Sequence, residues 1–251
     1  MGTPRISVLV AAVALCVVAE AAAQYAPDGN LTSRADLVRA GRRLYLRRCV
    51  FCHGSSGRGD GPVARYVFPR PRDLTLGVFK IHSTPTGGLP TDQDLFNTLS
   101  RGLPGTTMPA WSNLSEQQRW ALVAYIETFA AAFRTDGRLV PIAIGTPKPP
   151  LPESVLAGRR LYIEAECWKC HGMLGKGDGP SAPTLEDDWG YPIVPADLRI
   201  SRNWRGGNRP VDIYRSIAVG IGGTPMPSWA DALTSDQIWD MTNYLLSIIQ
   251  Q

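Results

Sequence analysis

Charge is scarce in this chain, and histidine and long apolar runs are scarcer. Only 19% of its 251 residues are charged and 44% are apolar, which is a globular composition and not a disordered one. The 26 basic and 22 acidic residues leave a formal net charge of +4, and no Lys/Arg run adds to it. That balance argues against nucleic acid as a partner. No stretch beyond the N-terminal region is long and apolar enough to span a bilayer, and no alternating segment reads as a strand. Glycine (25) and proline (21) are abundant by contrast, as expected of short helices joined by long, punctuated loops. The length allows one large domain or two small ones.

Residues 1–23 read as a secretory signal peptide. Arg5 supplies a basic start, Ile6 to Val18 is apolar or small throughout, and Ala21 and Ala23 precede a cut ahead of Gln24. As an uncleaved anchor the apolar run would reach only about 20 Å, short of a roughly 30 Å hydrocarbon core. Cys16 leaves with this segment, and a lipid anchor on it is disfavoured because Leu15 stands where a small residue is wanted. The expected compartment is the periplasm. Membrane association is expected only through a partner or an uncleaved anchor. Cys49, Cys52, Cys167 and Cys170 remain.

The chain is written twice. Leu37–Pro62 and Val155–Pro180 share AGRRLY, then CxxCHG, then GxGDGP. Pro71-Arg-Asp-Leu74 matches Pro195-Ala-Asp-Leu198, and Met108-Pro-Ala-Trp111 matches Met226-Pro-Ser-Trp229. The offset is 118 residues for both Cys49/Cys167 and Met108/Met226, and His53 and His171 each precede the matched Met by 55. This is a tandem duplication, with units at 24–140 and 153–251 and a proline-rich, semi-rigid linker at 141–152. A unit of about 110 residues has a marginal apolar core, so a rigid apolar group at its centre would help.

Each unit reads as helical. Ser33 caps a helix to about Arg48, Thr91 one over 92–100, and the box Ser115–Gln118 opens one to about Phe133. The second-unit counterparts are 153–166, 211–218 and a helix after the box Thr234–Gln237.

Cys49-Val-Phe-Cys52-His53 and Cys167-Trp-Lys-Cys170-His171 are C-x-x-C-H motifs, the pattern of covalent c-type haem attachment. Two thiols join the vinyl groups on one porphyrin edge, and the following His lies under the iron. Three alternatives compete. A four-cysteine zinc site needs both pairs to converge and leaves each His unexplained. A thioredoxin-like pair expects a strand before it. A disulfide across two residues is strained.

The second axial ligand of a c-type haem is Met or His. Met108 and Met226 are the repeat-matched candidates, whereas Met173 and Met241 have no matched Met. His82, the third histidine, has no counterpart and reads as a loop residue. Gly57, Gly59, Gly61 and their counterparts Gly175, Gly177, Gly179 are expected to let the backbone pass close to the haem edge. The carbonyls of Pro62 and Pro180 are candidate acceptors for the other imidazole N–H. Arg70, Arg72, Arg199, Arg202, Trp111, Trp204 and Trp229 are candidate donors to the propionates.

On these residues each unit resembles a class I cytochrome c: CxxCHG, then GxGxxP, then MPxW before a last helix. The tandem is similar to bacterial periplasmic dihaem cytochromes c and to dihaem subunits of cbb-type oxidases. The resemblance implies an all-α fold of two small helical bundles, each around one covalent haem c with His/Met ligation. It also implies single-electron transfer between redox partners: an oxidoreductase, a cytochrome complex or a terminal oxidase. Carriage, free or as a subunit, is the reading preferred over a dihaem enzyme. A peroxidase needs an open distal site, and a sulfur-compound dehydrogenase would want a cysteine ligand that is not to spare. A haem sensor would need an attached signalling domain. The loop Lys80–Pro90 departs from the simplest pattern, as a haem guard or a docking element.

Charge is uneven. Residues 24–140 carry 15 basic and 9 acidic side chains (net +6), and residues 141–251 carry 10 and 12 (net −2). An acidic partner would therefore be steered to the first unit. Electron-transfer rates through that unit should fall as ionic strength rises; a flat dependence in stopped-flow mixing would rule steering out.

Overall fold

The computed structural model describes residues 33–135 and 139–250; the signal-peptide segment lies outside them. Nine α-helices are present among the described residues. In the first half these are α1 (Arg34–Arg48), α2 (Val50–His53), α3 (Asp92–Arg101), α4 (Glu116–Ile126) and α5 (Ala132–Thr135). In the second they are α6 (Pro152–Glu164), α7 (Trp168–His171), α8 (Pro210–Val219) and α9 (Ser235–Ser247). No strand forms among the described residues, only an isolated bridge between Glu186 and Pro192. The fold is all-α, as the periodicity predicts.

Helix starts follow the capping chemistry. The Ser33 hydroxyl accepts from the Asp36 amide. Thr91 with Asp94, Ser115 with Gln118 and Thr234 with Gln237 form reciprocal capping boxes. One helix ends early. The sequence predicts α4 to run to Phe133, yet it stops at Ile126. The amides of Thr128 and Phe129 bond back three residues, to Tyr125 and Ile126. The Thr128 hydroxyl takes the Tyr125 carbonyl as well, at 2.6 Å. Such tight i−3 bonds and side-chain capping unwind a helix end. The break turns Phe129 onto the Tyr45 and Tyr125 rings, 5.1 and 5.0 Å away.

The first and last long helices of each half cross closely, α1 on α4 and α6 on α9. The crossing point is the glycine of AGRRLY. A Cβ on Gly41 would lie 1.9 Å from the Ala121 carbonyl oxygen, and one on Gly158 would lie 2.0 Å from that of Asp240. Only a residue without a side chain fits there. The crossing carries Tyr45 and Tyr162 into the two cores, where both are essentially inaccessible. The first core gathers Tyr45, Leu95, Leu99, Leu122 and Val123; the second gathers Tyr162, Ile213, Ile217, Ile238 and Trp239.

The halves are joined by more than the linker. The linker runs along α9: the Trp239 indole donates to the Gly145 carbonyl at 3.0 Å, and the Asn243 amide donates to those of Lys148 and Pro149. The loop Lys80–Pro90, expected to be a haem guard or a docking element, braces the two halves. Its Lys80 carbonyl accepts from the Gly222 amide at 3.0 Å, and its Thr86 hydroxyl donates to the Val219 carbonyl at 3.1 Å. Asp94, buried, holds the loop from below through the Ser83 amide and hydroxyl. His82 is buried within it, its Nδ1 2.9 Å from the Thr84 carbonyl.

Gly41→Ala and Gly158→Ala should each cost about 2 kcal/mol by overpacking, read as a lower midpoint in chemical unfolding. At Gly87 a side chain would meet open space, but φ is +81°, so alanine there should cost about 1–2 kcal/mol through backbone strain and not through overpacking.

Candidate functional site

Each half holds one apolar cleft, and the sequence motifs meet there. The first is lined by Cys49, Cys52, His53, Met108 and Trp111. The second is lined by Cys167, Cys170, His171, Met226 and Trp229. Counting their open mouths, the clefts hold about 1100 and 1660 Å3 of free space, enough for a large prosthetic group by the usual scale of about 300–1,000 Å3. The two Cys pairs lie in separate clefts, so no four-cysteine site is assembled. A helix and not a strand precedes each pair, against the thioredoxin-like alternative, and all four thiols are free.

Local backbone explains the placement. In each C-x-x-C-H a single α-turn forms, with the His amide bonding to the carbonyl of the first Cys at 2.9 Å in both halves. Residues i and i+4 of such a turn share a face, so the first Cys and the His point the same way. The Tyr45 hydroxyl donates to the Gly54 carbonyl at 2.8 Å, and that of Tyr162 to the Gly172 carbonyl at 2.7 Å. The tyrosines of AGRRLY thus pin the residue that follows each His.

The imidazole partners differ from the sequence expectation. His53 Nδ1 faces the carbonyl of Arg72 at 3.4 Å, and His171 Nδ1 that of Ala196 at 3.1 Å. Pro62 and Pro180 are exposed and serve neither ring. The cause lies in the glycine turn. The Gly59 and Gly177 amides bond back to the carbonyls of His53 and His171, and the P-x-D-L segments then fold in against them. A Cβ on Gly59 would lie 2.5 Å from the Pro71 oxygen, and one on Gly177 would lie 2.6 Å from that of Pro195. These two glycines therefore admit a neighbouring chain segment, not a haem edge. Burial holds both imidazoles below the usual histidine range, partly countered by the carbonyl bonds. That favours the neutral ring, whose remaining nitrogen is a metal ligand.

The methionine loops are built alike. The amides of Leu103 and Ile221 bond to the carbonyls of Met108 and Met226, while the Thr106 and Thr224 hydroxyls cap the Met amides at 3.1 and 3.3 Å. The Trp111 and Trp229 amides tie each loop to α3 and α8.

A haem also needs donors for its carboxylates, and the clefts supply unpaired ones. The Trp111 indole nitrogen and Arg72 Nε are buried without a partner, and both residues line the first cleft. Trp204 Nε1 and Arg205 Nε are likewise buried and unpartnered, and both residues line the second. Burying such groups unpaired is costly, and a carboxylate-bearing group would satisfy them. The residues present therefore fit haem. Of the other predicted donors, Arg199 is held by Asp197 at 2.7 Å away from the clefts, and Arg202 lines the groove between the halves. Arg70 lines the first cleft and lies over the Tyr191 ring at 5.2 Å. Arg205, next to the predicted Trp204, is a donor that the sequence reading missed.

Arg72 has a second role that the sequence does not reveal. Its guanidinium crosses into the second half, donating to the Gly222 and Gly223 carbonyls at 3.1 and 3.0 Å. It also faces Asp187 at 3.4 Å and stacks over the Trp189 ring at 4.2 Å. Pro69 and Lys80, beside it, line both clefts. The clefts thus share a wall.

Comparison with known proteins agrees with this geometry. Residues 36–126 match the family described as "Cytochrome C oxidase, cbb3-type, subunit III", and residues 155–248 match "Cytochrome c". A chain of the Kuenenia stuttgartiensis reducing HAO-like protein complex Kustc0457/Kustc0458 is 43% identical with a TM-score of 0.81, over 84% of this chain and 96% of that one. The cbb3-type cytochrome c oxidase subunit FixP of Sinorhizobium medicae is 26% identical over 161 residues, 57% of this chain and 50% of FixP. Subunit CcoP of Azospirillum sp. is 33% identical over 105 residues, 37% of this chain and 30% of CcoP. This chain spans about half the length of the FixP relative, and less of CcoP. It belongs to the c-type cytochromes. It is a dihaem member with two covalently bound haem c.

Arg72→Ala should cost about 2 kcal/mol through lost charged hydrogen bonds. Amide exchange at Gly222 should quicken as the junction loosens; unchanged exchange there would mean that the brace loop alone holds the halves together.

Proposed function

We propose that Cys49 and Cys52 carry the first haem with His53 and Met108 as its axial ligands. Cys167, Cys170, His171 and Met226 carry the second in the same way. What supports this reading is the coincidence, twice over, of a half-buried imidazole favoured in its neutral form, a matched Met on a capped loop and two thiols in one apolar cleft. The haems supply one-electron iron chemistry. The chain supplies orientation of the imidazoles through the Arg72 and Ala196 carbonyls, exclusion of water by the apolar walls, and donors at Trp111, Arg72, Trp204 and Arg205. Such rigid surroundings limit reorganisation, and a thioether ligand favours the reduced iron.

In this reading the chain relays single electrons within an oxidoreductase complex, as expected of a chain similar to a member of an HAO-like complex and to cbb3 oxidase subunits. The units run over 24–140 and 153–251 with 141–152 between them. Residues 1–23 direct export to the periplasm, where membrane attachment comes through a partner or the uncleaved segment.

An optical redox titration of the full chain tests the ligands. Two waves are expected, each with the weak Met-to-iron band near the red end of the spectrum. Met108→His should abolish the band of one haem and lower one potential strongly, leaving the other wave in place. An unchanged titration would remove Met108 as a ligand.

A further inference from the structure

Lys80 is a buried cation that the ligand assignments do not use. It is 8% exposed and lines both clefts at once. It sits where the halves meet, its own carbonyl accepting from the Gly222 amide at 3.0 Å. Buried lysines are rare unless paired, and Lys80 is poorly paired. The charged groups acting on its ammonium are Arg72 and Arg205, which repel it, and Asp187, which attracts it. Asp187 is already committed to Arg72 at 3.4 Å and to the amides of Trp189 and Tyr191 at 3.1 Å. His82, two residues on, is occupied with the Thr84 carbonyl. An amine in this position feels a change of charge in either cleft, because it lines both and is shielded from water.

We propose that Lys80 is the proton-uptake site common to the two redox centres, a positioning charge that couples their potentials. One electron arrives from the redox partner at either iron. One proton arrives from water at Nζ, whose lone pair forms the new N–H bond. On reoxidation both leave. Nothing else is consumed, and the carrier returns to its starting state. The geometry gives the direction. A reduced centre carries one positive charge fewer, so the ammonium beside it is less opposed and the amine holds its proton more firmly. By linkage, a protonated Lys80 makes either centre easier to reduce. Burial, reinforced by Arg72 and Arg205, pushes the amine well down from its usual range, and carboxylates bound at those two arginines would bring it part of the way back. The inference rests on haem occupying these two clefts.

The test is spectroelectrochemical titration of the full haem-loaded chain at several pH values. In the native protein both midpoint potentials should be flat in acid and fall with pH from near neutrality upward. They should level again once Lys80 is neutral in both redox states. Lys80→Met should make both midpoints independent of pH, at the native protein's alkaline values. Lys80→Arg, which keeps the charge but cannot release it, should make both flat at the native acid values. This second variant reads the proposal even where the Met variant loads haem poorly. A native slope surviving in the variants would overturn it, assigning the proton to the propionates instead. A change confined to one wave would also overturn it, because Lys80 would then serve one cleft. Absence of haem bands from the native chain would instead overturn the occupancy of the clefts, an outcome visible before any titration.

Discussion

The guanidinium of Arg72, buried between the halves of a duplicated chain, is the contact on which the joint geometry of both clefts depends. Its backbone carbonyl faces His53 on one side. Its side chain crosses to Gly222, Gly223, Asp187 and Trp189 on the other. One residue therefore links an axial-ligand candidate of the first half to the loop leading toward Met226 in the second. The matched position is Ala196, whose carbonyl serves His171 and whose side chain can reach nothing. The duplication kept the backbone role in both copies and gave the side-chain role to one.

That asymmetry changes what two copies of a small domain can do. Two bundles on a flexible tether would behave as separate carriers. Here the linker is bonded along α9, the loop Lys80–Pro90 is bonded to the far half, and Lys80 and Pro69 belong to both clefts. A shared wall buried from water lets charge in one cleft act on the other with less screening than in solvent. The orphaned donors Trp111 Nε1, Arg72 Nε, Trp204 Nε1 and Arg205 Nε are a further sign that the fold is completed by groups the polypeptide does not itself provide.

Much of this was legible in the residues. Two C-x-x-C-H motifs in register define the attachment chemistry, because thiols at i and i+3 with an imidazole at i+4 share one helical face. The matched spacing to Met108 and Met226 separates these from unmatched methionines. Capping boxes mark helix starts because they are local. Less legible were features that depend on where a distant segment returns. The end of α4 at Ile126 reflects a turn that stacks Phe129 on Tyr45. The carbonyl beside each imidazole comes from the P-x-D-L segment, because the glycine turn carries Pro62 and Pro180 out to solvent.

The amino-acid sequence by itself determined the duplication, the helical class, the two attachment motifs and the methionine candidates, since each is a matter of residue type at fixed spacing. Tertiary structure decided which carbonyl meets each histidine, that Arg72 ties the halves, and that Lys80 is buried against both clefts. The physical reason is that periodicity and spacing report a segment's own conformation. Burial and charge environment are set by whatever segment packs against it, here one 19 or 25 residues away for each histidine and more than 100 away for the Arg72 guanidinium.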